Sequence, residues 1–272
     1  MKFTTSSGSA RVGGQFSSVL LAAALLAAGW PLTAAAGTAY WNAGAGSGDL
    51  NPTSLTDTPV TVAFGAFSRG NNPGSEVLNN STSASSGYTF LLNGASTSAS
   101  GGFNFGADTL VGTSLDTAAS TYFSVTVTPD PSTSFELTAI GFGTRSTTNG
   151  PKAWTLRSSL DNFATDLVTP GTLNNDSAWV YVNAPLTTPL VGSAATELRI
   201  YGYAVDGPQS FVSNTWRLDD VQLQVVPEPA LAGLAIVGCG SLLAARRSLS
   251  RRRRGRAESS VWLFFLASGQ RW

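Results

Sequence analysis

The 272-residue sequence contains no histidine and only one cysteine, Cys239. Without histidine the commonest general base is gone, together with Ser-His and Cys-His nucleophile pairs and most zinc and iron sites. The one cysteine lies in a C-terminal apolar run, so the rest of the chain has no disulfide and must draw its stability from core burial. Charge is scarce too: 12% of residues are charged, and 16 basic and 16 acidic side chains cancel. The cancellation hides a segregation. Between Gly37 and Val226 six basic residues (Arg69, Arg145, Lys152, Arg157, Arg199, Arg217) stand against 14 acidic ones, a net charge of −8, while the compensating arginines lie in the tail. An acidic body argues against a nucleic-acid partner, which needs a basic face to displace phosphate counterions. Residues 37–226 also lack any sustained 3.6-residue period and any 20–50-residue repeat, which argues against a helical bundle, a propeller or a solenoid.

What is present begins with two apolar runs at the ends. Lys2 and Arg11 precede the apolar residues 19–28; Gly29-Trp30-Pro31 then breaks the chain ahead of Ala34-Ala35-Ala36. A basic start, a short apolar stretch and a small-residue site form the pattern of a secretory signal peptide over 1–36. Ala34 and Ala36 set its cleavage, with Gly37 the first residue retained. A buried N-terminal helix is the plainer alternative. At the other end Val226-Pro227-Glu228-Pro229 leads into the apolar residues 230–245, then Arg246, Arg247, Arg251, Arg252, Arg253 and Arg254. Sixteen helical residues reach roughly 24 Å, short for a bilayer but workable with flanking arginines. Basic residues after such a span stay cytoplasmic, which would leave the acidic domain outside.

The triad Pro227, Glu228, Pro229, the apolar span 230–245 and the arginine cluster 246–254 together resemble the PEP-CTERM sorting signal. An ordinary C-terminal anchor is the alternative. The resemblance implies export through the inner membrane and partnership with an exosortase and a signal peptidase. It also implies passage through the membrane by the C-terminal helix and a final place at the cell surface, outer envelope or extracellular matrix among exopolysaccharide. Residues 255–272 depart from the family pattern, because the chain continues past the arginines with a second, seven-residue apolar run.

Residues 37–226 read as one all-β domain. Apolar alternation marks strands near 60–64, 88–92, 123–127, 135–139, 152–158, 179–182, 197–203 and 216–225, separated by Gly, Asn, Asp and Pro clusters. About ten short strands predict an antiparallel two-sheet sandwich of jelly-roll type, flanked by the N-terminal signal helix and the C-terminal transmembrane helix. Pro129-Asp130-Pro131 predicts a hairpin between 123–127 and 135–139. Apolar parity changes phase at Asp219-Asp220, which predicts a bulge. Several motifs recur in order from Phe142 to Val221, among them Trp154-Thr155-Leu156-Arg157 and Trp216-Arg217-Leu218-Asp219-Asp220. They resemble a β-sandwich ectodomain of exported PEP-CTERM proteins, similar in appearance to carbohydrate-binding jelly rolls; the resemblance implies fold and location and no catalytic activity.

Three groups of residues are candidates for chemistry. Asp219 and Asp220 are candidate calcium ligands, with Asp49, Asn51 and Asp57 contributing if the terminal strands pair; the alternative is a pair with Arg217, Arg199 or Arg157. Arg157, Asp161 and Asn162 form a second group: Asp161 and Asn162 predict a turn held by side-chain bonds to nearby amides, and Arg157 a buried pair with an aspartate that stabilises the sandwich, with substrate binding the alternative. Trp154, Trp179 and Trp216, with Tyr181, Tyr201 and Tyr203, are candidates for stacking on sugar rings, although most must serve the core. The Ser-rich stretches 79–86 and 96–102 read as solvated loops. The functional expectation is a non-catalytic surface or matrix protein. A calcium-dependent carbohydrate-binding module is the alternative, and a glycosidase using paired carboxylates a distant third.

Overall fold

The computed structural model describes residues 37–43, 50–58, 61–71, 78–79, 84–109, 112–205 and 215–227. Fifteen strands run through them: β1 Gly37–Trp41, β2 Ser54–Thr56, β3 Val62–Phe64, β4 Ser68–Gly70, β5 Leu78–Asn79, β6 Thr89–Leu92, β7 Ala95–Ser98 and β8 Asn104–Asp108. Then follow β9 Tyr122–Pro129, β10 Phe135–Ser146, β11 Ala153–Ser158, β12 Gly171–Thr172, β13 Val180–Gly192, β14 Thr196–Tyr203 and β15 Thr215–Pro227. A seven-stranded sheet has the order β13-β10-β15-β1-β2, with β8 also on β15 and β5 on β8. A six-stranded sheet has the order β12-β11-β14-β9-β3, with β4 also on β9, and β6-β7 forms a separate hairpin. Every pairing is antiparallel.

Strand alternation builds the core. Phe123, Val125 and Val127 of β9, Leu198 and Ile200 of β14, and Trp154 and Leu156 of β11 all turn inward, as do Phe135, Leu137, Ile140 and Phe142 of β10. Large rings meet edge to face, Phe142 on Trp154 at 4.8 Å and Phe123 on Trp216 at 5.0 Å. Each such side chain contributes about 1.5–3 kcal/mol by leaving water. That is how a disulfide-free sandwich holds together.

A second, smaller cluster sits on the outer face of the seven-stranded sheet. Asn93 and Gly94, both with positive φ, make the two-residue turn between Leu92 and Ala95. The hairpin they close lays Tyr88 and Phe90 against Tyr40, Trp179 and Tyr181. Gly143 lies beneath it: a Cβ there would run into the Tyr88 hydroxyl.

Two expectations need correction. The sandwich is there, but the flanking helices are not part of it. Among the described residues no helix is long and apolar enough to cross a membrane, and the one helical piece is a 3-10 turn at Ser159–Asp161. The signal segment 1–36 with Ala34 and Ala36, and Glu228, Pro229, the span 230–245 and Arg246 to Arg254, lie outside the described residues. The expected transmembrane helix, and the membrane and exosortase partnerships that depended on it, are corrected accordingly: no helix among the described residues supports them. Pro227 ends β15, opposite Phe135, and Gly37 opens β1, opposite Val225. The predicted hairpin between β9 and β10 is also wrong: β9 pairs with β14, β3 and β4, while β10 pairs with β13 and β15. The Pro129-Asp130-Pro131 turn carries the chain from one sheet to the other.

The predicted bulge is present. Gly141 faces Gln222 and Gly143 faces Asp219, so Asp220 and Val221 together oppose Phe142 alone, and Asp220 has φ 50°. Trp216 and Leu218 point into the core before it; Val221, Leu223 and Val225 do so after it.

Candidate functional site

The bulge places both aspartates out of water without a cation beside them. Asp219 and Asp220 are each fully buried. One Asp219 oxygen accepts from the Ser85 hydroxyl at 2.6 Å and the Ser100 hydroxyl at 3.0 Å; the other accepts from the Asp220 amide at 2.9 Å. Asp220 accepts from the hydroxyls of Tyr40 and Tyr88, the latter at 2.6 Å, and from the Ser100 amide at 3.1 Å. Burial, then the adjacent Asp220 charge, pushes the Asp219 carboxyl up to about 7, against the pull of its hydroxyl donors. Burial first, then Asp220, raises the Tyr40 and Tyr88 phenols well above their ordinary range, so both stay protonated donors. The stretches around Ser85 and Ser100, expected to be solvated loops, thus tie the hairpin to the sheet.

Calcium requires six to eight oxygens. Here two carboxylates offer four, and every one already accepts a hydrogen bond from a protein donor. Among the described residues no three acidic side chains gather into a metal-binding group. Asn51 and Asp57 are exposed, and Asp49 lies outside the described residues. The arginine alternative is corrected: Arg157 pairs with Asp166 at 2.7 Å and Arg199 with Glu197 at 2.8 Å, while Arg217 donates to Asn104.

The six-stranded sheet carries a different arrangement on its outer face. Alternation sends Arg157 of β11, Glu197, Arg199, Tyr201 and Tyr203 of β14, and Tyr122 and Ser124 of β9 away from the core, with Arg199 level with Arg157 and Ser124. Arg199 grips Glu197 through both carboxylate oxygens, at 2.8 and 3.0 Å. Its guanidinium carbon sits 4.2 Å from the Tyr122 ring centre and 3.8 Å from that of Phe163. Asn162 and Phe163 are both left-handed, at φ 57° and 60°. That conformation is strained for a bulky residue, and it is what turns the Phe163 ring onto Arg199.

The loop that carries Phe163 is fixed by charge. Arg157 donates to the Phe163 carbonyl at 2.9 Å and pairs with Asp166, whereas Asp161 caps the turn by accepting from the amides of Ala164 and Thr165. Arg157 does pair with an aspartate, Asp166, but the pair is partly exposed where a buried one was expected. Both ion pairs keep their carboxylates about a third open to solvent, with Asp166 and Glu197 each 31% exposed. They are within reach of a ligand.

Of the tryptophans read as stacking platforms, Trp154 and Trp216 are corrected: they are core residues with no ring face free, and Trp216 donates its indole N–H to Thr144 at 3.0 Å. Tyr201 is buried too. Trp179 is half-buried beside Tyr88, with ring centres 6.3 Å apart. Sequence reasoning missed Tyr122 and Phe163. Their signal was faint: an aromatic directly after Asp161-Asn162, and an aromatic at the outward phase of a strand.

No family model matches the chain, and no curated protein matches it. Among solved structures it is similar to the K1 cleaved adhesin domain of Lys-gingipain from Porphyromonas gingivalis W83. That likeness has 10% identity, a TM-score of 0.32, and covers 68% of this chain and 96% of the other. It is also similar to the family 11 carbohydrate-binding module from Clostridium thermocellum, solved with a β-1,3-1,4-mixed-linked tetrasaccharide, at 12% identity and a TM-score of 0.28, covering 70% and 96%. Likenesses this loose carry no argument about fold or ligand; the two-sheet antiparallel sandwich rests on the strand pairings of this chain.

Proposed function

We propose that this domain is a non-catalytic, glycan-binding β-sandwich of an exported protein, and that it binds on the outer face of the six-stranded sheet around Arg199. The observation that carries the reading is the Arg199 guanidinium held between the Tyr122 and Phe163 rings and bidentate to Glu197. Sugar rings present an apolar C–H face and a rim of hydroxyls. Aromatic edges complement the first, and a fixed fork of guanidinium and carboxylate groups complements the second. The strain at Phe163 fits a residue whose orientation matters more than its local stability.

A hydrolytic role has less support. Glycoside hydrolysis needs two carboxyl groups flanking an accessible bond. Asp219 and Asp220 are sealed beneath the hairpin, and Glu197 and Asp166 are each held by an arginine. Location outside the cytoplasm rests on the signal-peptide pattern of residues 1–36.

A glycan array probed with the domain, with and without EDTA, tests the proposal. Binding to a subset of glycans, unchanged by EDTA and lost in Arg199→Gln, is the expected result. An array blank in both conditions would overturn the glycan reading. Binding that survives Arg199→Gln would overturn its assignment to this face.

A further inference from the structure

The outer face of the seven-stranded sheet bears two arginines side by side. Arg145 of β10 and Arg217 of β15 are direct cross-strand partners. Their inward neighbours Thr144, Ser146, Trp216 and Leu218 are buried, so both arginines turn outward on the same face. Directly opposed side chains have their Cβ atoms about 5 Å apart, and like charges so placed repel. Yet among the described residues each guanidinium is held by neutral acceptors. Arg145 donates its Nε–H to the Ser177 carbonyl at 2.6 Å, and Arg217 donates from Nη1 to the Asn104 side-chain oxygen at 2.9 Å.

Neither forms an ion pair with a described carboxylate; the ion pairs among the described residues that engage an arginine of this kind belong to Arg157 and Arg199. Asp108 acts on Arg217 through space without bridging it, and Asp219, two residues along, is taken up by Ser85 and Ser100. The Arg217 Nε–H is buried with no acceptor. A guanidinium offers five donors, so this pair presents unfilled donors of one sign on one row. On the far side of Arg217, β8 contributes Gly106, which adds no side chain to the row. On the far side of Arg145, the Thr144–Val180 register continued by one residue brings up Trp179, on the same face as Tyr181.

We infer that the pair Arg145–Arg217 is a second binding site, for the oxyanion of an acidic sugar, a carboxylate or a sulfate ester on a polysaccharide. An oxyanion between the two guanidiniums accepts from the donors left over and cancels the repulsion. Burial, then Arg145, lowers the affinity of Arg217 for its proton, against the opposing pull of Asp108. The domain as a whole is acidic, with a net charge of −8 over residues 37–226, so it repels polyanions except where a local site holds them. The assignment rests on the proposal that this domain meets glycans, but on a different face and a different ligand class.

The test compares polygalacturonate, dextran sulfate and a neutral mixed-linkage β-glucan. Each is measured against the wild type and the variants Arg145→Gln, Arg217→Gln and Arg199→Gln, with folding checked by circular dichroism. The expected result is that one acidic polymer binds and weakens with added salt. Arg145→Gln and Arg217→Gln then lower that affinity by about tenfold or more and leave the neutral glucan unaffected. Preference for polygalacturonate or for dextran sulfate identifies the oxyanion. Acidic-polymer binding that is absent, or equal in both variants and the wild type, overturns the inference. Loss of neutral-glucan binding in Arg199→Gln alone concerns the other face. Should either glutamine variant fail to fold, the Nε–H resonance of Arg217 in the wild type decides: it shifts on adding the acidic polymer, or the site is refuted.

Discussion

Acid should stabilise this protein where it weakens most others. The Asp219 carboxyl is fully buried and is pushed up to about 7 from 3.8, first by burial and then by the neighbouring Asp220 charge. Between those two values the folded chain holds a proton that the unfolded chain has released. Stability from this group is therefore complete below about pH 4 and is lost as the pH rises through 7. One pH unit corresponds to about 1.4 kcal/mol, and with the group still half protonated at pH 7 the window from pH 5 to pH 7 carries about 2 kcal/mol. For a domain of this size that is a rise in Tm of roughly 4–8 °C on acidification. Ordinary carboxylates are already ionised in both states there, and with no histidine in the chain no side chain of ordinary pKa titrates in that range to mask the effect. Urea unfolding and calorimetry across pH 5 to 8 measure it. Asp219→Asn should flatten the slope and raise stability at pH 8, because the Ser85 and Ser100 hydroxyls can rotate to accept from the new amide. A wild-type stability that is flat or falls on acidification over this range would refute the reasoning, as would an unchanged slope in Asp219→Asn.

The remaining predictions concern the same architecture. Tyr88→Phe removes one of the donors to buried Asp220 and should cost about 1–3 kcal/mol at pH 8, read as a lower urea midpoint. Trp154→Ala empties a core position packed against Phe142 and should cost about 3–5 kcal/mol, enough to threaten folding. Calcium added to the purified domain should leave its Tm unchanged, because the diacid oxygens are taken and among the described residues no third carboxylate joins them; a Tm that climbs with calcium concentration would contradict that.

Much of the sandwich was legible because alternation marks which strand residues are buried: β9, β11, β14 and β15 lie close to where alternation puts them, while β10 and β13 run well past their expected ends and β12 was not expected at all. The bulge was legible for the same reason: only an extra residue lets Leu218 and Val221 both face the core. The β9–β10 pairing was not. Two consecutive strands with one apolar face each read identically whether they pair in one sheet or face each other across the core, and Phe123, Val125, Phe135 and Leu137 satisfy both. The hairpin over the diacid was hidden by composition. Serines look like solvated loop residues until two unpaired aspartates on a central strand need donors, and Ser85 and Ser100 supply them. Tryptophans were weighted for their chemistry when burial decided the matter. Of the side chains that stand out on the six-stranded face, Tyr122 lies at the outward phase of β9, whereas Phe163 depends on a left-handed pair of residues that no alternation pattern encodes.

The central claim is that a glycan is held on the outer face of the six-stranded sheet. Amide chemical-shift mapping with a glycan identified on the array tests it most directly. The account predicts that perturbed residues cluster on β9, β11 and β14 and in the turn after Asp161, centred on Tyr122, Phe163, Arg199 and Tyr203. Shifts confined to the β6–β7 hairpin and the diacid beneath it, or no shifts at saturating glycan, would contradict it.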